Sequence, residues 1–191
     1  MKYPLGRIKL LIWLVLFVLY IFMAAFVMGG ASKAINQTAA KPECAVPLDL
    51  YKSGASKEQI FTSFDCMGSA ARTVYRGIET LQDVIYPLVY SLLFAFTIYC
   101  LTGYLSQNKL LISLLTATAL PLVIFDYFEN FNAVKLVDQF PDLNQETVDS
   151  FSTFNQLKWG LAFVCLGIIV LLAVASLWKL VRGKGKPEES V

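Results

Sequence analysis

Four stretches of this chain hold almost no ionisable side chain, and that distribution of charge restricts the fold more than any motif does. Residues 8–31, 84–105 and 157–180 stay apolar over the roughly 20 helical residues needed to cross a hydrocarbon layer of about 30 Å. Only a helix satisfies its own backbone polar groups in such a layer, so each stretch is read as a membrane-spanning helix. The remaining span, 109–128, is apolar from Leu110 to Phe125. It reaches full length only if its helix runs on through Asp126, Glu129 and Asn130. Those residues then lie at membrane depth, where charge is costly and is kept for a reason. The expected fold is all-α: a single four-helix transmembrane bundle occupying 1–191.

With 57% hydrophobic and 16% charged residues, the chain has nothing left over for a separate soluble domain. It contains no histidine. That removes imidazole general bases, His-ligated haem and HExxH zinc sites. No metal site and no cofactor is expected. A net charge of +2 is too small to indicate a nucleic-acid partner. The expected partners are membrane lipids and, as an open alternative, a membrane-protein complex or further copies of the chain.

Basic residues crowd against span ends at Lys2, Arg7, Lys9, Lys109, Lys179, Arg182, Lys184 and Lys186. By the positive-inside rule both termini face the cytoplasm, of a bacterial inner membrane or a plasma membrane. The first apolar run exceeds the length of a signal-peptide core and is expected to remain as an uncleaved anchor. Outer loops then cover 32–83 and 126–156, a tight inner turn covers 106–109, and a basic cytoplasmic tail covers 181–191, suited to anionic headgroups.

The first outer loop reads as a partly helical extracytoplasmic cap. Ser56 followed by Gln59 has capping-box spacing, Ile60, Phe61 and Phe64 give an apolar face, and Gly68 marks a break. Leu48, Leu50 and Tyr51 are candidates to pack the cap onto the bundle, and Pro87 is a candidate kink. Cys44 and Cys66 are the only cysteines in the outer loops and form a disulfide candidate on an oxidising side. Cys100 and Cys165 fall inside spans and read as apolar fillers.

The sharpest constellation is a polar stripe. If 72–90 is one helix, then Arg72, Arg76, Glu79, Asp83, Tyr86 and Tyr90 recur every three or four residues and share a face. Asp126, Glu129 and Asn130 do the same in the third span, and Asn155 and Lys158 near the start of the fourth. Antiparallel packing brings the three groups to one depth, where a basic pair, an acidic group and a lysine neutralise one another. Such a cluster is either a structural network that orients the spans or a site for a ligand, ion or substrate.

Gly68, Arg72, Tyr75, Asp83, Tyr86, Pro87 and Tyr90, together with 126–130 after Pro121, resemble a group of small bacterial four-span membrane proteins of unassigned function. The resemblance implies the four-span architecture and brings no activity with it. Claudin-like proteins share the layout, but this first loop lacks their Gly-Leu-Trp motif.

Three readings of function follow. The first is a non-enzymatic accessory subunit or a binder of a lipid-like ligand at the outer polar cluster. The second is an acid–base enzyme acting on a lipid or isoprenoid, with Asp126 and Glu129 moving protons and Arg72 and Arg76 holding an anionic headgroup. It requires the carboxylates to line a cavity. The third is a proton- or ion-coupled carrier built as an oligomer, for which the chain offers no inverted repeat.

Overall fold

Long apolar runs become long helices. A computed structural model of the protein describes residues 6–183. Among them there is no strand, and four helices are long and apolar enough to cross a membrane. These are α1 (Arg7–Thr38), α2 (Lys57–Leu105), α3 (Lys109–Gln139) and α4 (Gln145–Gly183). A short 3-10 turn, Leu48–Leu50, lies in the connection between α1 and α2. Lys2 and the tail residues 184–191 lie outside the described residues.

The expected loops shrink. α1 does not stop at Ala31 but continues to Thr38 through a π-helical stretch, Met23–Met28. The second expected loop, 126–156, is nearly all helix: α3 runs to Gln139 and α4 starts at Gln145, leaving a turn of a few residues between them. The acidic residues Asp138, Asp142, Glu146 and Asp149 suggest a solvated connection with a short helix around Gln145 to Phe154, and helix is far more extensive than that. Polarity there reflects exposure of a helix face, not loss of helix. The third expected span is itself interrupted. Lys109–Ala117 and Pro121–Gln139 are separate helical segments, and the turn between them ends at Pro121, a residue suited to a first helical turn.

Packing differs sharply along the bundle. At one end, a large apolar core joins the start of α2 to α3, α4 and the α1–α2 connection, with Leu48, Ile60, Phe64, Met67, Leu136 and Phe151 fully enclosed. At the other end, the core narrows to a few residues around Ile98, Leu122 and Cys165. There the helices turn apolar side chains outward: Leu11 is 62% exposed, Leu114 60% and Leu171 72%. Leu50, expected to help anchor the cap, is 54% exposed, and Leu48 does the anchoring.

Two backbone breaks shape the polar end. Ser56 and Gln59 form the capping box that starts α2, each side chain accepting the other's backbone N–H. Eleven residues or so later Gly68 leaves helical geometry at φ +67° and ψ 177°, a region open essentially only to glycine. The carbonyls freed at this break find new donors. Arg72 Nη1 donates to Phe64 O (2.7 Å), and the backbone N–H groups of Lys41 and Ala40 donate to Cys66 O (2.8 Å) and Met67 O (3.2 Å). Cys44 and Cys66 are joined as a disulfide at the same place, fastening the irregular strap to the helix end.

The second break surrounds Pro87. Proline has no N–H to give to the carbonyl four residues earlier, which is Asp83. Asn130 Nδ2 donates to that carbonyl instead, at 2.8 Å, and Tyr127 donates its hydroxyl to Val84 O at 2.8 Å. α2 responds upstream of the proline by widening into a π-helical turn over Ile78–Gln82. The stretch 72–90 is therefore not one regular helix, and the stripe drawn on it is twisted apart.

Candidate functional site

α3 and α4 are joined by a short turn, so they lie antiparallel, and their facing residues meet about three to four turns from it. This places Asp126 and Glu129 against Asn155 and Lys158. Lys158 Nζ pairs with Glu129 Oε2 and lies 3.7 Å from Asp126 Oδ2. Asn155 Nδ2 donates to Glu129 Oε1 at 2.6 Å, and the Tyr90 hydroxyl of α2 donates to Asp126 Oδ2 at 2.5 Å. All are buried: Glu129 is 1% exposed, Asp126 3% and Lys158 8%. Asp83 and Glu79 are also buried but enter no ion pair among the described residues.

The two arginines do not join them. Arg76 is exposed and pairs with Asp138 at 2.9 Å, while Arg72 is spent on Phe64 O and lies over the Phe140 ring at 4.3 Å from its centroid. The π turn between Arg76 and Asp83 rotates these positions off the face that an unbroken helix would give them. The expected basic pair is thus absent from the cluster, and Lys158 is its one cation among the described residues. Asn130 holds the backbone at Asp83 rather than facing a ligand with its amide N–H.

A cavity of about 410 Å³ opens beside this network. Its polar wall carries Asp49, Asp83, Asp126 and Lys158. Tyr20, Tyr86, Tyr90, Phe94 and Trp159 supply aromatic surface, and Ala24, Met28 and Ala162 complete the flanks on α1 and α4. The aromatic rings form a run: Tyr20 stacks on Tyr86 with centroids 6.1 Å apart, Tyr86 meets Tyr90 edge-on at 5.3 Å, and Phe94 lies 6.1 Å beyond Tyr90.

Asp49, Tyr20 and Trp159 are the site residues that the sequence did not yield. Asp49 comes from the 3-10 turn, whose Leu48 is fully buried, and its carbonyl accepts from Trp159 Nε1 at 3.1 Å. Burial pushes the Asp49 carboxyl above its ordinary value, and the Lys158 ammonium acts against that rise. The available signal was an acid between two leucines in an otherwise polar loop, a pattern that marks a turn docked on apolar surface.

Among the described residues no group of three or more His, Cys, Asp or Glu side chains is placed to hold a metal ion. Compared with known proteins, the chain matches no family model, no curated protein and no solved structure. The functional reading therefore rests on the geometry of this site.

Proposed function

We propose that the protein is an integral membrane protein that binds a lipid-like amphiphile in the cavity between α1, α2 and α4, with the polar group of the ligand against Asp83 and Asp126. The observation that carries this reading is the cavity itself, polar on one wall and aromatic and aliphatic on the others. Its apolar flank is set among helices whose outward faces are covered in exposed leucine, valine and isoleucine, a surface suited to acyl chains. The basic span ends support cytoplasmic termini. The cavity and the strap bearing Cys44 and Cys66 then fall on the opposite, oxidising side, where a disulfide persists.

The test is native mass spectrometry of protein released from native-like lipid. Wild type is expected to retain a stoichiometric lipid-sized adduct. Ala162→Phe, which fills the apolar flank and leaves every ion-pair residue unsubstituted, is expected to lose it. A bare wild-type chain refutes the proposal.

One observation favours the acid–base enzyme as a second reading. Asp83 and Asp126 line open space, and the Oδ1 atom of Asp126 has no hydrogen-bond partner, so a carboxylate remains available for proton transfer. Turnover of a lipid substrate that is abolished in Asp126→Asn, with the adduct retained, would select this reading.

A further inference from the structure

We infer that the polar group this cavity accepts is an organic ammonium, not the anionic headgroup that the sequence had suggested. The inference deepens the amphiphile-binding reading and rests on it. Three carboxylates, Asp49, Asp83 and Asp126, stand on the cavity wall with a single cation, Lys158. That cation is already committed to Glu129 and Asp126. Arg72 and Arg76, the groups able to hold a phosphate, are engaged elsewhere with Phe64 O and Asp138. An anion entering here meets carboxyl groups and finds no cation on the cavity wall other than Lys158; the Lys52 ammonium, over the Trp159 ring, is not part of the lining.

Hydrogen-bonding capacity points the same way. The unpartnered buried atoms of the network's side chains include Asp126 Oδ1, Asn130 Oδ1 and Asn155 Oδ1, all acceptors, and of these residues Asp126 alone lines the cavity. The amide assignments are fixed by the partners, because each Asn Nδ2 faces an oxygen that can only accept. Asp126 is 3% exposed, and its free oxygen belongs to a side chain on the cavity wall. What such a site lacks is a donor carrying positive charge. Tyr20, Tyr86, Tyr90 and Trp159 add ring faces, which attract organic cations. The Lys52 ammonium already lies 4.6 Å from the Trp159 ring centroid. The alkyl part of the ligand takes the flank between Ala24 and Met28 of α1 and Ala162 of α4.

The experiment measures thermal stability of the detergent-purified full chain with three probes: n-octylammonium, octanoate and ethylammonium. At tenfold over its Kd, n-octylammonium is expected to raise Tm by about 3–5 °C, and octanoate at equal concentration is expected not to. Asp83→Asn is expected to weaken n-octylammonium binding by about tenfold or more, and Arg76→Ala to leave it unchanged. Should Asp83→Asn fail to fold, Asp49→Asn carries the same expectation from the α1–α2 connection. Ethylammonium binding as tightly as n-octylammonium supports the ammonium site and assigns it a water-soluble amine rather than a lipid. Octanoate binding as well as or better than n-octylammonium overturns the inference and leaves the amphiphile-binding reading standing. No response to any probe, with no lipid retained in native mass spectrometry, overturns both.

Discussion

Replacing Lys158 with methionine keeps most of the unbranched side chain and removes the cation on which the buried network is centred. At 3.7 Å and an effective dielectric of about 20, attraction to Asp126 alone is worth roughly 4 kcal/mol, and Glu129 is closer still. Part of that attraction is offset in the native protein by the cost of burying three charges. The variant relieves that cost only for the lysine, and leaves Asp126 and Glu129 buried without a counter-charge. Truncating one partner of a buried pair costs about 3–5 kcal/mol, and Lys158→Met is expected to fall in that range. Adding Glu129→Gln removes one stranded carboxylate while Asn155 still has an oxygen to bond, so the double variant is expected to be more stable than the two losses summed. The coupling should reach about 1–3 kcal/mol. Equilibrium unfolding in mixed detergent micelles, followed by far-ultraviolet circular dichroism, measures all four corners of the cycle. A loss below about 1 kcal/mol for Lys158→Met, together with additive single effects, would refute the claim that this lysine holds the α3–α4 network together.

Asn130→Leu is expected to cost about 1–3 kcal/mol by stranding the Asp83 carbonyl, and much less in a Pro87→Ala background, where the new N–H takes that bond; equal losses in both backgrounds would disprove the compensation. Replacing Cys44 and Cys66 with serine opens a cross-link of sequence separation 22 and is expected to cost about 3 kcal/mol, read as a Tm loss that reductant reproduces in wild type and not in the variant. Asp49 titrates with its folded value held above 3.8, so its charged form is the disfavoured one in the native state. Its contribution is fully present below pH 3.8 and is lost as pH rises through the folded value. Asp49→Asn should accordingly gain stability over wild type on going from pH 4 to pH 7, and a difference in Tm that is the same at both pH values would exclude a perturbed Asp49.

The four long helices were legible in the sequence because helix formation across an apolar layer is a local requirement: each backbone group must find its partner within the same segment. Apolar runs in 8–31, 84–105 and 157–180 state that requirement residue by residue. Local chemistry also announced the start of α2, since Ser56 and Gln59 need only each other, and the break at Gly68, whose φ of +67° excludes most other residues. The meeting of Asp126 and Glu129 with Asn155 and Lys158 followed from two helix faces on consecutive, antiparallel spans, while the shortness of their connection was not legible.

Where the arginines went was not legible. Spacing of three and four assigns Arg72, Arg76, Asp83 and Tyr90 to one face only if the helix between them is regular, and regularity here depends on partners from other segments. Pro87 frees the Asp83 carbonyl, to which Asn130 of another helix donates its amide N–H, and the π turn at Ile78–Gln82 shifts the register by part of a turn. Asp49 reaches the site only because Leu48 is buried and Trp159 binds its carbonyl. Sequence by itself determined which segments are helical, since that is settled by bonds between near neighbours. Tertiary structure alone decided which charges share the cavity, because a surplus of carboxylate over ammonium there is a sum over four segments whose relative rotation no single one of them encodes.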